Sequence, residues 1–148
     1  MSNKTDKYFN ILINKIKTET VDIPIACLIV KDDEIISLKT NEREKTNSIL
    51  AHAEILAIAE ANKKLNTKYL PDCDMYVTLE PCPMCAWAIV NSKIKNLYFA
   101  SYDIQYGGFS VLKLDKLSSS KIKIYGGIKE IECDKILNDY FKNLRTKV

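Results

Sequence analysis

Any fold this chain adopts must bring together two separated stretches, Ala51-His52-Ala53-Glu54 and Glu80-Pro81-Cys82-Pro83-Met84-Cys85. Together they supply an imidazole, a carboxylate two residues later, and two thiolates with two residues between them. Thiolates and imidazole are the donors that tetrahedral zinc favours, and on a turn entering a helix Cys82 and Cys85 can reach one ion. A helix N-terminus also favours their deprotonated form. With His52 as third ligand, two thiolates, a neutral imidazole and a zinc dication sum to zero charge, so the group can be buried without an unpaired ion. Three protein donors leave a fourth position for water, whose pKa the metal lowers to roughly 7; that is the pattern of a catalytic zinc. Glu54, on the first turn of the helix that His52 opens, is placed to take the water's proton and return it to a leaving amine.

Each part also has a plainer reading. A Cys-x-x-Cys pair is often half of a structural zinc site or a redox pair, and an acid in a first helical turn is favoured by the helix dipole alone. A lone histidine opening an apolar helix is commonly a satisfied polar residue. A structural site needs a fourth protein ligand, and Cys27, Cys73 and Cys133 remain; of these Cys73 is the one the sequence leaves open. The polar opening Met1-Ser2-Asn3-Lys4-Thr5-Asp6-Lys7 has no apolar run of signal-peptide type, and five cysteines are an odd number. Reduced thiols and a cytoplasmic location are therefore expected.

Around these stretches the patterning is that of one domain over residues 1–148, with 47% hydrophobic and 28% charged residues. Tyr8, Phe9, Leu12, Ile13 and Ile16 recur at helical spacing. Ile25-Ala26-Cys27-Leu28-Ile29-Val30 is an unbroken apolar run expected to form a strand covered on both faces, and Lys31-Asp32-Asp33-Glu34 a turn to a second strand at Ile35–Leu38. Asn41–Ser48 reads as an irregular loop. A helix is expected from Ala51 to Leu65, a strand at Asp74–Leu79, and a helix body at Met84–Asn91 with Pro83 in its first turn. Strands at Asn96–Ala100 and Ile122–Tyr125 and a final helix through Ile136, Leu137, Tyr140, Phe141 and Leu144 complete a mixed sheet with helices on both faces. The formal charge of +3 permits an anionic partner without requiring one, and no stretch is long and apolar enough to span a bilayer.

His52-Ala53-Glu54 with Pro81-Cys82-Pro83-Met84-Cys85 resembles the signature of the cytidine/deoxycytidylate deaminase superfamily. The resemblance is greatest to the bacterial tRNA-specific adenosine deaminase (TadA) family. It rests on Ile23-Pro24-Ile25, on Asn41 eleven residues before His52, on the run from His52 to Ile58, and on Tyr76 through Ala86. It continues through Tyr102-Asp103 and Gly107 to Glu132-Cys133 and Tyr140-Phe141. The resemblance implies a three-layer α/β/α cytidine deaminase-like fold with a central mixed five-stranded sheet, a homodimer, one Zn2+ per chain held by His52, Cys82 and Cys85, and no organic cofactor or membrane partner. It implies deamination of the wobble adenosine to inosine in a tRNA anticodon stem-loop, with Glu54 shuttling protons. Asn41 would bind the base, Ile25 and Ala53 would line its pocket, and Asp103 and Phe141 would belong to the RNA-binding surface. Trp87, Ala26-Cys27, Gln105 and Gly107-Gly108-Phe109 depart from the family pattern. Two other readings stay open: a deaminase of a free base or nucleoside (guanine, cytosine or cytidine), and a non-catalytic zinc-stapled binding module.

Overall fold

A computed structural model describes residues 3–117 and 119–146; Met1 and Ser2 of the polar opening stretch lie outside the described residues. Helix α1 (Asn3–Ile16) begins a turn earlier than the apolar spacing alone predicts, with Asp6 in its first turn where the helix dipole favours an acid. It buries Tyr8, Phe9, Leu12 and Ile16. Strands β1 (Ala26–Lys31) and β2 (Glu34–Thr40) form an antiparallel hairpin closed by Asp32 and Asp33. Both turn residues have positive φ, 50° and 65°, the backbone that a two-residue loop needs to match strand twist.

Where an irregular loop was expected, residues Arg43–Thr46 form a single helical turn, α2. Its amides are satisfied from a distance. The Asp22 carboxylate accepts from the N–H groups of Glu44 (2.6 Å) and Lys45 (3.3 Å), and Asn41 Oδ1 accepts from Arg43 N–H at 3.2 Å. Asn47, at φ 52°, then ends the turn in the left-handed region.

The chain continues through α3 (Ala53–Leu65), β3 (Asp74–Leu79), α4 (Pro83–Asn91) and β4 (Asn96–Ser101), then a short 3-10 turn at Leu114–Lys116, β5 (Lys123–Tyr125) and α5 (Glu130–Thr146). The five strands lie in the order β2-β1-β3-β4-β5, with β1 antiparallel to both neighbours and β3, β4 and β5 parallel. Alternation along each strand divides the core in two. Cys27, Ile29, Met75, Val77, Leu97 and Phe99 meet α3 and α4 on one face. Ala26, Leu28, Val30, Tyr76, Tyr98 and Ala100 meet α1 and the start of α5 on the other. The unbroken apolar run of β1 is thus a strand covered on both sides. Tyr76, Tyr98 and Tyr125, in register on the parallel strands, stack at 4.6 and 5.0 Å on the α1/α5 face. The result is three layers, helices about a mixed five-stranded sheet. Among the described residues no helix is long and apolar enough to cross a membrane.

Candidate active site

Sequence places His52 and Cys82 where a helix begins, and each is the N-cap residue of its helix, α3 and α4, with the extended backbone of that position (φ/ψ −71°/146° and −68°/172°). An N-cap side chain ordinarily accepts from the first turn. Neither does so here, because imidazole and thiol point at each other. His52 Nδ1 lies 3.7 Å from Cys82 Sγ and 3.4 Å from Cys85 Sγ, and all three donor atoms fall within 4.8 Å of one another. Tetrahedral bonds of about 2.3 Å to sulfur and about 2.0 Å to nitrogen would set N and S about 3.6 Å apart, so the donor set fits zinc in both chemistry and spacing. The α4 N-terminus lies at the carboxyl end of the parallel strand β3, and its Cys85 backbone N–H donates to Cys82 Sγ.

The protons of this cluster are shared. Hydrogen bonding from Cys85 holds the Cys82 thiol down to about 4, and pairing with His52 adds to it. Cys85 is pushed far up, as donor to Cys82 and by burial. The bond with Cys82 raises His52. Such protons are the ones a bound dication displaces. Glu54, in the first turn of α3, is only 4% exposed. Burial pushes its carboxyl up to about 7, and the charges of Cys82 and His52 are felt there.

The remaining cysteines are elsewhere. Cys73 precedes β3 whereas Cys82 follows it, so the strand, about 20 Å long, separates them. Cys133 is buried in the α1/α5 core. Cys27 packs in the α3/α4 core, where burial keeps its thiol protonated. Among the described residues the cluster able to hold a metal is His52, Cys82 and Cys85, without a fourth protein donor.

Asn41 and Phe141 line one cavity of about 330 Å3 with Val21, Asp22, Arg43 and Tyr140. Asn41 is buried and its amide is engaged, accepting from Arg43 N–H and donating to the Ile23 carbonyl at 3.3 Å, which leaves one N–H. Phe141 is 40% exposed and lies edge-on to Tyr140, whose hydroxyl donates to the Val21 carbonyl. The outer half of α5 therefore borders this cavity instead of completing the core that its periodicity suggests. Ile25 is half-buried against the core that holds Cys27 and Ala53. Asp103 stands apart from the cavity: its carboxylate accepts from Gln105 and Tyr106 N–H at 3.1 and 2.9 Å and closes a loop turn.

Two residues of consequence carry no role in the sequence reading. Glu80 is buried, and its carboxylate accepts from the N–H groups of Asp103, Phe109 and Ser110 and from the Ser110 hydroxyl, at 2.7–3.3 Å. It ties the 103–110 loop to the Pro81-Cys82 turn. Gly107 makes this possible, since a Cβ there would stand 2.5 Å from the carboxylate. Only its place beside Pro81-Cys82 could have signalled this role. Arg43 is the other.

The profile of the MafB19-like deaminases matches residues 3–145. A tRNA-specific adenosine deaminase of Aquifex aeolicus (strain VF5) is 40% identical over 134 residues, spanning 88% of this chain and 87% of the relative. One of Bacillus subtilis (strain 168) is 38% identical over 133 residues, spanning 87% and 82%. A solved structure from work on A-to-I editing by tRNA:A34 deaminases at the wobble position of transfer RNA superposes with a TM-score of 0.85 at 31% identity, covering 89% of this chain and 99% of that one. A guanine deaminase of Nitrosomonas europaea, at 21% identity and a TM-score of 0.75 over 94% and 84% of the two chains, shares the fold.

Proposed function

Since this chain belongs to the tRNA-specific adenosine deaminase family of the MafB19-like deaminases, we propose that it converts the wobble adenosine of a tRNA anticodon stem-loop to inosine. The observation that carries the proposal is the donor triangle of His52, Cys82 and Cys85 with the buried Glu54 beside it. His52 Nδ1 and the two sulfurs would hold one zinc. Zinc bound there supplies a Lewis acid that brings a water's pKa to about 7. The chain's own residues supply the rest. Glu54 accepts a proton from water and delivers protons to N1 of the base and to the departing amine, so that water and adenosine give inosine and ammonia. Its burial keeps the carboxyl able to hold a proton near neutral pH. The remaining Asn41 N–H binds the base, Ile25 and Ala53 form the apolar wall, and Phe141 offers a ring on which an unstacked neighbouring base can lie. Asp103 shapes the adjoining loop.

A cytoplasmic homodimer is part of this reading. Met84 and Trp87, one turn apart on α4 and 36% and 42% exposed, support an apolar face for a second copy. Incubating the purified zinc protein with an anticodon stem-loop and digesting the RNA to nucleosides tests the function; inosine is expected. Ammonia release from guanine, cytosine or cytidine with no inosine in RNA would replace it with the free-base reading.

A further inference from the structure

Of the 22 lysines and arginines in this chain, only Arg43 and Arg145 are arginines. Arg43 is half-buried at the start of α2 and lines the cavity that Asn41, Tyr140 and Phe141 share. It lies close enough to His52 for the two to interact electrostatically. Carboxylates surround it in sequence and space, namely Glu42, Glu44 and Asp22, yet among the described residues Arg43 forms no ion pair with any of them. Asp22 is committed to the Glu44 and Lys45 amides and to Lys45 Nζ, and Glu19 also pairs with Lys45. Moreover Arg43 Nε is buried without a hydrogen-bond partner. A buried donor with no acceptor is unfavourable and marks a place that something outside the chain completes.

The chemistry of that complement follows from the guanidinium. Its planar fork matches the oxygens of a phosphate with two parallel hydrogen bonds, whereas lysine, the cation used almost everywhere else here, acts as a point charge. A base presented on a nucleic-acid strand brings a phosphate on either side of it; a free base or nucleoside brings none. We infer that Arg43 recognises a backbone phosphate next to the nucleotide whose base Asn41 binds at the His52, Cys82 and Cys85 cluster, the cavity itself taking the flanking backbone, and so selects adenosine carried on RNA over the free nucleoside. The inference rests on the function proposed above. The four-residue turn α2, capped by Asp22 and Asn41, is then the mount that fixes this guanidinium beside the base-binding amide. The plainer role, an arginine stem covering Tyr140 and Phe141, predicts no dependence on phosphate charge.

The test is a double-substitution cycle. Binding of an anticodon stem-loop to the zinc protein is measured by fluorescence anisotropy, together with steady-state turnover, for the intact chain, Arg43→Ala and Arg43→Lys. Each is paired with RNA bearing a neutral methylphosphonate at one flanking position at a time. For Arg43→Ala, Kd and KM should rise about tenfold with kcat changed by less than about threefold, and the slope of log Kd against log salt should fall by about 0.7, the loss of one phosphate contact to a single strand. One methylphosphonate should weaken the intact protein by a similar factor and add nothing in Arg43→Ala. Arg43→Lys should recover part of the affinity. Equal binding of all RNAs by Arg43→Ala and the intact chain, or additive losses from protein and RNA substitutions, would overturn the inference. Phosphate-dependent binding without inosine formation would sink the proposed function while leaving the phosphate contact standing.

Discussion

Glu54 and Glu80 are both buried carboxylates, and what surrounds each decides its use. Glu80 is met by three backbone N–H groups and a hydroxyl, which use its oxygens as acceptors and make it a fixed anchor for the loop. The carboxyl of Glu54 is pushed up to about 7 by burial, with its own backbone N–H pulling the other way, so it is able to exchange a proton. Substitution should separate the two roles. Glu54→Gln keeps the shape and should reduce inosine formation by about a hundred- to ten-thousand-fold, while elemental analysis still finds one zinc per chain. Loss of zinc with loss of activity would mean instead that Glu54 supports the metal. Glu80→Ala should strand buried amide donors and lower stability by about 3 kcal/mol in urea unfolding. A loss near zero would show that water replaces the carboxylate and that the loop does not depend on it.

At the scale of elements, α2 shows how a long-range cap creates structure that no local pattern announces. Asp22 precedes the β1–β2 hairpin in sequence and the amides it caps follow it, and removing it should free both. Asp22→Ala is expected to lower stability by about 1 kcal/mol, the usual loss for an N-cap, and to weaken stem-loop binding by loosening the turn that carries Asn41 and Arg43. Thermal unfolding and anisotropy on the same variant test both; weakened stability with unchanged RNA affinity would detach α2 from substrate binding. Legibility follows the same division. β1, α3, β3 and α4 are readable because their evidence is local: an apolar run, helical spacing, a proline in the first turn. The metal triangle is readable because His52 and Cys82 must each open a helix to present their donors. α2 is hidden because its caps come from distant residues, and the outer half of α5 misleads because Phe141 and Leu144 have core periodicity but border an open cavity. The side chains of Asn41 and Asp103 carry backbone hydrogen bonds in their own loops, a duty that the Asx chemistry of Asn41-Glu42-Arg43 and Asp103-Ile104-Gln105 allows but does not require.

At the scale of the whole molecule, the α3/α4 layer meets the sheet through an apolar core, and at its open end the two helices meet through His52, Cys82 and Cys85. A metal held there links two helix starts and the end of β3 and replaces shared protons with bonds to one ion. Because the cluster requires the folded chain, zinc binding should add directly to stability. With free zinc at about a thousand times its dissociation constant the gain is about 4 kcal/mol, and in a chain of this length each 1 kcal/mol moves the melting temperature by about 2–4 °C. Removing zinc with a chelator should therefore lower Tm by about 10 °C, and returning zinc should restore it. Cys82→Ser should melt low with or without chelator. If chelation lowers the melting temperature of Cys82→Ser as much as that of the intact protein, the ion that stabilises the fold is bound elsewhere; if it lowers neither, these three residues are a hydrogen-bonded cluster and the fold does not depend on metal.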